Sequence, residues 1–131
     1  MVPDFPDNPY KVNRGVKRVW LATVYSWEGL IAAVRLESAF RQELALALLM
    51  LPCAWWLGRN WTEIVLLVIT VVLVLIVELM NSAVEAVVDR VSYERHPLSK
   101  LAKDFGSAAV HLSLLLCGGV WASLLYVRLW A

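Results

Sequence analysis

The chain has 131 residues, 60% of them hydrophobic and 18% charged, with seven tryptophans, a formal net charge of +1 and a mean hydropathy of +0.65. One domain is all that this length supports, and so apolar a composition excludes an ordinary soluble domain and describes an integral membrane protein. The small net charge hides an asymmetry, because ten of the twelve Lys and Arg lie in two blocks, Lys11 to Arg41 and Arg90 to Lys103.

Met1 to Pro9 holds three prolines and two aspartates and no apolar stretch. Residues 1–12 are therefore expected to form a mobile tail and not a signal peptide. From 13 to about 41, Val16, Trp20, Val24, Trp27 and Ile31 recur at helical spacing among many charges. This predicts an amphipathic helix lying in the membrane interface, with Lys11, Arg14, Lys17 and Arg18 among anionic headgroups.

Three apolar runs follow, Leu44 to Leu57, Ile64 to Val77 and Ala108 to Val127. A crossing helix needs about 20 residues, so the first two runs are extended through tolerable neighbours, and the three spans are expected at about 42–57, 63–88 and 106–128. Pro52 should kink or break the first span. Gly58-Arg59-Asn60-Trp61 makes a tight connection to the second, with Trp55, Trp56 and Trp61 as an interfacial aromatic belt. Arg90 to Asp104 reads as an aqueous loop in which Pro97 and Ser99 are helix-start signals. His111, inside the third run, reads as a helix-packing residue, and Cys53 and Cys117 as small hydrophobes. The basic blocks put the amino end and the second loop in the cytoplasm and the carboxyl end opposite; the location expected from the family resemblance set out below is a bacterial inner membrane, as a multi-pass chain.

The chemistry is concentrated at the end of the second span. At roughly 100° per residue, Glu78, Asn81, Glu85 and Asp89 fall at about 0°, −60°, −20° and +20°, on one stripe of a helix. Each acidic residue near mid-bilayer costs about 2.5 to 3.5 kcal/mol on insertion scales, so such a stripe marks function. Glu78 lies about 10 Å deeper than Glu85 along the axis, so a reagent from the cytosol and one from the lipid could meet there. Carboxylate oxygens suit Mg²⁺, which takes one or two protein carboxylates beside phosphate oxygens and water, and a basic loop suits a polyphosphate. The six glycines, at 15, 29, 58, 106, 118 and 119, form neither a P-loop nor a GxGxxG.

Glu78-Leu79-Met80-Asn81-Ser82-Ala83-Val84-Glu85-Ala86-Val87-Val88-Asp89 resembles the signature of the prokaryotic integral-membrane diacylglycerol kinases. Tyr25-Ser26-Trp27-Glu28-Gly29-Leu30, Glu37-Ser38-Ala39-Phe40-Arg41-Gln42-Glu43 and Ala102-Lys103-Asp104-Phe105-Gly106-Ser107-Ala108-Ala109-Val110 resemble the same family in order and approximate spacing. The resemblance covers about 18–127 and implies an all-α membrane protein, with an N-terminal amphipathic surface helix and three transmembrane helices, assembled as a homotrimer whose active sites lie between subunits. It also implies transfer of the γ-phosphate of MgATP to the hydroxyl of diacylglycerol, giving phosphatidic acid. By motif position, Glu78 would be the base and Asn81 would support it. Glu37 and Glu85 would hold Mg²⁺. Arg18, Tyr25, Asp89, Glu94, His96, Lys103 and Asp104 would join them at the nucleotide, and Ser26, Phe40, Arg41 and Ser107 would serve the lipid beside Glu78. No nucleic-acid partner is expected.

Two other readings stand beside this one. A polyisoprenoid alcohol such as undecaprenol presents the same single hydroxyl at the interface, and apolar contacts discriminate poorly between such acceptors. A small oligomeric cation or proton channel could instead line its pore with Glu78, Glu85 and Asp89. Departures from the family pattern are the long tail before Lys11, the Gly-Arg-Asn-Trp connection and Pro52.

Overall fold

The computed structural model describes residues 15–130. They form four α-helices, α1 (Val16–Leu36), α2 (Ser38–Leu57), α3 (Trp61–Val91) and α4 (Pro97–Trp130), and no strand occurs among the described residues. The tail expected over 1–12 lies outside them. Residues up to Ala32 belong to one compact unit and those from Ala33 to a second.

In the first unit, α1 starts at Gly15, whose φ of +71° lies in the left-handed region that suits glycine. The Gly15 carbonyl accepts from the amides of Arg18 and Val19. Trp20 and Trp27 on the apolar stripe are 68% and 66% exposed.

In the second unit the chain leaves helical geometry at Glu37 (φ −100°, ψ 111°), earlier than the boundary expected near 41. The reason lies in Arg41, whose Nη1 donates to the carbonyls of Val34 and Arg35, both at 3.1 Å. Those carbonyls end α1 and have no helical partner of their own. Pro52 does not break α2, which runs on to Leu57. The Arg90 to Asp104 segment is also less of a loop than expected. Only 92–96 is non-helical, because α4 opens at Pro97, which fits the first helical position where its missing N–H costs nothing.

Helix α3 is central, packing extensively on α4 and on α2, while α2 and α4 touch each other little. Small residues of α2, Ala47 and Ala54, are buried against Leu67, Val71 and Val74 of α3, with Leu57 and Cys117 completing the two core clusters. Trp121 packs on both clusters and donates its Nε1–H to the Leu67 carbonyl at 3.3 Å. Outside this thin core, Leu48, Leu49, Leu66, Ile69, Ile76, Leu112 and Leu115 point outward. Helices α3 and α4 are both long and apolar enough to cross a membrane. The 31 residues of α3 extend about 46 Å at 1.5 Å per residue, against a hydrocarbon core of about 30 Å. A helix of this length exceeds the hydrocarbon thickness, and the acidic stripe is at the C-terminal end of α3.

The α2–α3 turn is built from its own side chains. Asn60 caps α3 by accepting from the Glu63 amide at 3.0 Å, and the Glu63 carboxylate accepts from the Arg59 amide at 2.8 Å. The rings of Trp55 and Trp61 meet at 5.9 Å across it. Gly58 has no room for a side chain, because an added Cβ would lie 2.9 Å from the Ile64 amide nitrogen and 3.1 Å from the Ala54 carbonyl. Gly58→Ala is expected to destabilise the hairpin by about 1–3 kcal/mol, as overpacking does. The check is thermal unfolding in detergent: the variant melts several degrees lower, and an unchanged melting temperature would contradict the tight turn.

Candidate active site

The stripe anticipated on α3 is formed, and burial grades along it. Glu78 is only 5% exposed, whereas Asn81, Glu85 and Asp89 are half-buried. Asn81 links two members of the stripe, donating from Nδ2 to Oε1 of Glu85 at 3.1 Å, one helical turn away. Glu37, Glu43 and Glu85 lie close enough to Glu78 to interact electrostatically. The break at Glu37 contributes to this, since its side chain makes no capping hydrogen bond to α2 and the carboxylate is left for the site. Among the described residues, no three His, Cys, Asp or Glu of this one chain close into a metal cage.

At the C-terminal end of α3, α3 and α4 are tied by an ion pair, Lys103 Nζ to Asp89 Oδ1 at 2.6 Å, with both side chains 41% exposed. Lys100 and Asp104, one turn apart on α4, pair at 2.5 Å. The short loop between the helices is held by local caps. The Ser92 hydroxyl accepts from the Glu94 amide at 2.9 Å, and His96 accepts from the Leu98 amide through Nδ1 at 3.2 Å while its carbonyl accepts from Lys100 N. These elements enclose an open pocket of about 710 Å³ whose walls include Asp89, Glu94, His96, Lys103 and Asp104, a size in the range of small-molecule sites. Arg95 and Lys100 add two cations to the residues expected there from the sequence.

Five of the expected nucleotide residues thus share one pocket, and Glu37, Glu78, Asn81 and Glu85 gather further down α3. Others have different surroundings. Arg18, Tyr25 and Ser26 belong to the first unit and are exposed on it, the Ser26 hydroxyl donating to the Ala22 carbonyl at 2.8 Å. Phe40 is buried, at 2% exposure, and Arg41 uses its guanidinium to cap α1, so both have structural work in this chain. Ser107 is exposed on α4 beside Gly106, and His111 is exposed as well. Cys117 is buried and Cys53 exposed, both as free thiols.

Glu43 is not among the site residues expected from the sequence. Its Oε2 is buried without a hydrogen-bond partner, it lines a small apolar cavity with Ala47, Val74 and Cys117, and it neighbours Glu78. The signal that could have found it is the one that found Glu78, a carboxylate carried into an apolar span at a cost of about 2.5–3.5 kcal/mol.

The family model for prokaryotic diacylglycerol kinase matches residues 24–125. The chain belongs to that family. A diacylglycerol kinase of Pseudomonas aeruginosa is 49% identical to it over 118 residues, covering 90% of this chain and 96% of that protein. The diacylglycerol kinase of Escherichia coli is 48% identical over 112 residues, covering 86% and 92%. One from Helicobacter pylori is 42% identical over 108 residues, covering 82% and 84%. Every candidate site residue of this family member except Arg18 falls inside the matched segment.

Proposed function

We infer that this member of the prokaryotic diacylglycerol kinase family is itself a diacylglycerol kinase, transferring the γ-phosphate of ATP to the free hydroxyl of diacylglycerol to give phosphatidic acid. The observation that carries the reading is the juxtaposition along α3 of a buried carboxylate at Glu78 and a cation-bearing pocket at Asp89 and Lys103. The first suits a lipid hydroxyl and the second a nucleotide.

In the reaction, the diacylglycerol oxygen attacks the γ-phosphorus, a new O–P bond forms, the bond from the γ-phosphorus to the β,γ-bridging oxygen breaks, and ADP leaves. Glu78 takes the hydroxyl proton. Asn81 orients Glu85 through its amide. Lys103 places positive charge where the polyphosphate lies, and Arg95, Lys100 and His96 line the same pocket. Glu37 and Glu85 fit Mg²⁺ by donor chemistry, since carboxylate oxygens suit that ion and it needs only one or two from the protein. The intramolecular hydrogen bond to Glu85 engages only Oε1. When bound, Mg²⁺ would neutralise charge on the phosphates.

The fuller architecture belongs to the same proposal. Helix α2 is the third span, α1 lies on the membrane surface, the amino end and the 92–96 loop face the cytoplasm, and three subunits share their sites. Support for sharing comes from the thinness of one chain's core.

Nucleotide use is tested by melting the purified protein with and without MgATP, because a ligand that binds only the folded form must raise the melting temperature. A rise is expected, and no shift at saturating MgATP would turn the reading towards a channel. Lys103→Met is expected to raise KM for MgATP about tenfold, the loss of one charge-assisted contact to phosphate. Steady-state kinetics in lipid micelles decide this, and an unchanged KM would reduce Lys103 to a helix-pairing residue.

A further inference from the structure

We propose that Gly106 is a positioning residue for phosphoryl transfer, acting through Asn81: its missing side chain lets α4 lie against the Asn81 carboxamide and so fixes which end of that amide faces Glu85. This rests on the reading of Asn81 and Glu85 as members of the site. A Cβ added at Gly106 would overlap Asn81 Oδ1 outright and would stand 3.2 Å from its Cγ and 3.8 Å from its Cα. The hydrogen that glycine carries in that direction therefore points at Oδ1. That oxygen is buried and has no hydrogen-bond partner, so the weak Cα–H···O contact is what α4 offers it.

The other end of the amide donates to Glu85 at 3.1 Å. The two ends are coupled by the planar group. With the oxygen seated on Gly106, the NH₂ must face the carboxylate. With the oxygen pushed out by a side chain, the amide turns and the hydrogen bond that orients Glu85 is lost. The contact is particular to this glycine, because Gly118 and Gly119 of the same helix have nothing within 4 Å of an added Cβ. Glycine weakens a helix interior relative to alanine, and only at 106 does the neighbouring helix require it.

The test is a double-mutant cycle of Gly106→Ala and Asn81→Ala, with kcat and KM measured for MgATP and for diacylglycerol in mixed micelles and a melting temperature for each variant. Gly106→Ala should lower kcat/KM for MgATP about 10- to 100-fold, as small misplacements in a site do, while KM for diacylglycerol and the melting temperature stay put. Asn81→Ala should be similarly impaired. The double variant should be no worse than Asn81→Ala, because truncation removes the atoms with which the new Cβ collides. Losses that multiply in the double variant, or a fully active Gly106→Ala beside an impaired Asn81→Ala, would overturn the proposal alone. A fully active Asn81→Ala would remove the site reading and the proposal together. Should Gly106→Ala fail to fold, the double variant is expected to fold, and its failure would also overturn the proposal.

Discussion

Glu78→Gln is expected to reduce diacylglycerol phosphorylation by about 10²- to 10⁴-fold, the range a positioned general base supplies, while MgATP binds nearly as well as before. The two halves of this expectation have separate causes. Glutamine keeps the shape and hydrogen-bonding reach of the side chain but cannot accept the hydroxyl proton, so the chemical step fails. Glu78 is 5% exposed and lies about 10 Å from Glu85 along α3 at 1.5 Å per residue, so the proposed nucleotide pocket near Asp89 and Lys103 is left intact. The substitution also removes one negative charge from the neighbourhood of Glu37, Glu43 and Glu85, which should leave stability unchanged or improved. Turnover in micelles and the MgATP-induced rise in melting temperature read the two halves independently. A variant that lost both would show that Glu78 holds the nucleotide arrangement instead of the proton.

Glu85→Gln should do the reverse. Its carboxylate accepts from Asn81 and is one of two proposed oxygen donors to Mg²⁺. Loss of the charge is therefore expected to weaken MgATP binding about tenfold or more, a loss of at least about 1.4 kcal/mol, and to make the residual affinity less dependent on Mg²⁺. Nucleotide titration at several Mg²⁺ concentrations measures this. Equal nucleotide affinity in the Glu78 and Glu85 variants would undo the division between them.

The α3 stripe was legible in the sequence because a long helix has a fixed period, so four polar residues spaced 78, 81, 85 and 89 could only share a face. The Gly58 turn was legible for a related reason: glycine and asparagine between two apolar runs leave few alternatives. The break at Glu37 was not, since Ser38 onward is as good a helix former as the residues before Leu36, and what stops α1 is a capping contact from Arg41, four residues beyond the break. Helix α4 begins well before the span expected at about 106–128, because Leu98 to Asp104 is polar in composition yet entirely helical. The ion pair between Asp89 and Lys103 needed the α3–α4 hairpin, which joins residues 14 apart. Gly106 was visible only as part of a family motif. Its function depends on what stands opposite it, and no periodicity within α4 carries that information.

Transfer of labelled γ-phosphate from MgATP, offered diacylglycerol and undecaprenol in parallel to purified protein in lipid micelles, tests the proposed activity most directly. The expected result is labelled phosphatidic acid, abolished by Glu78→Gln. Labelling of undecaprenol alone would keep the phosphoryl transfer and contradict the acceptor. Labelling of neither by a folded protein would contradict the kinase.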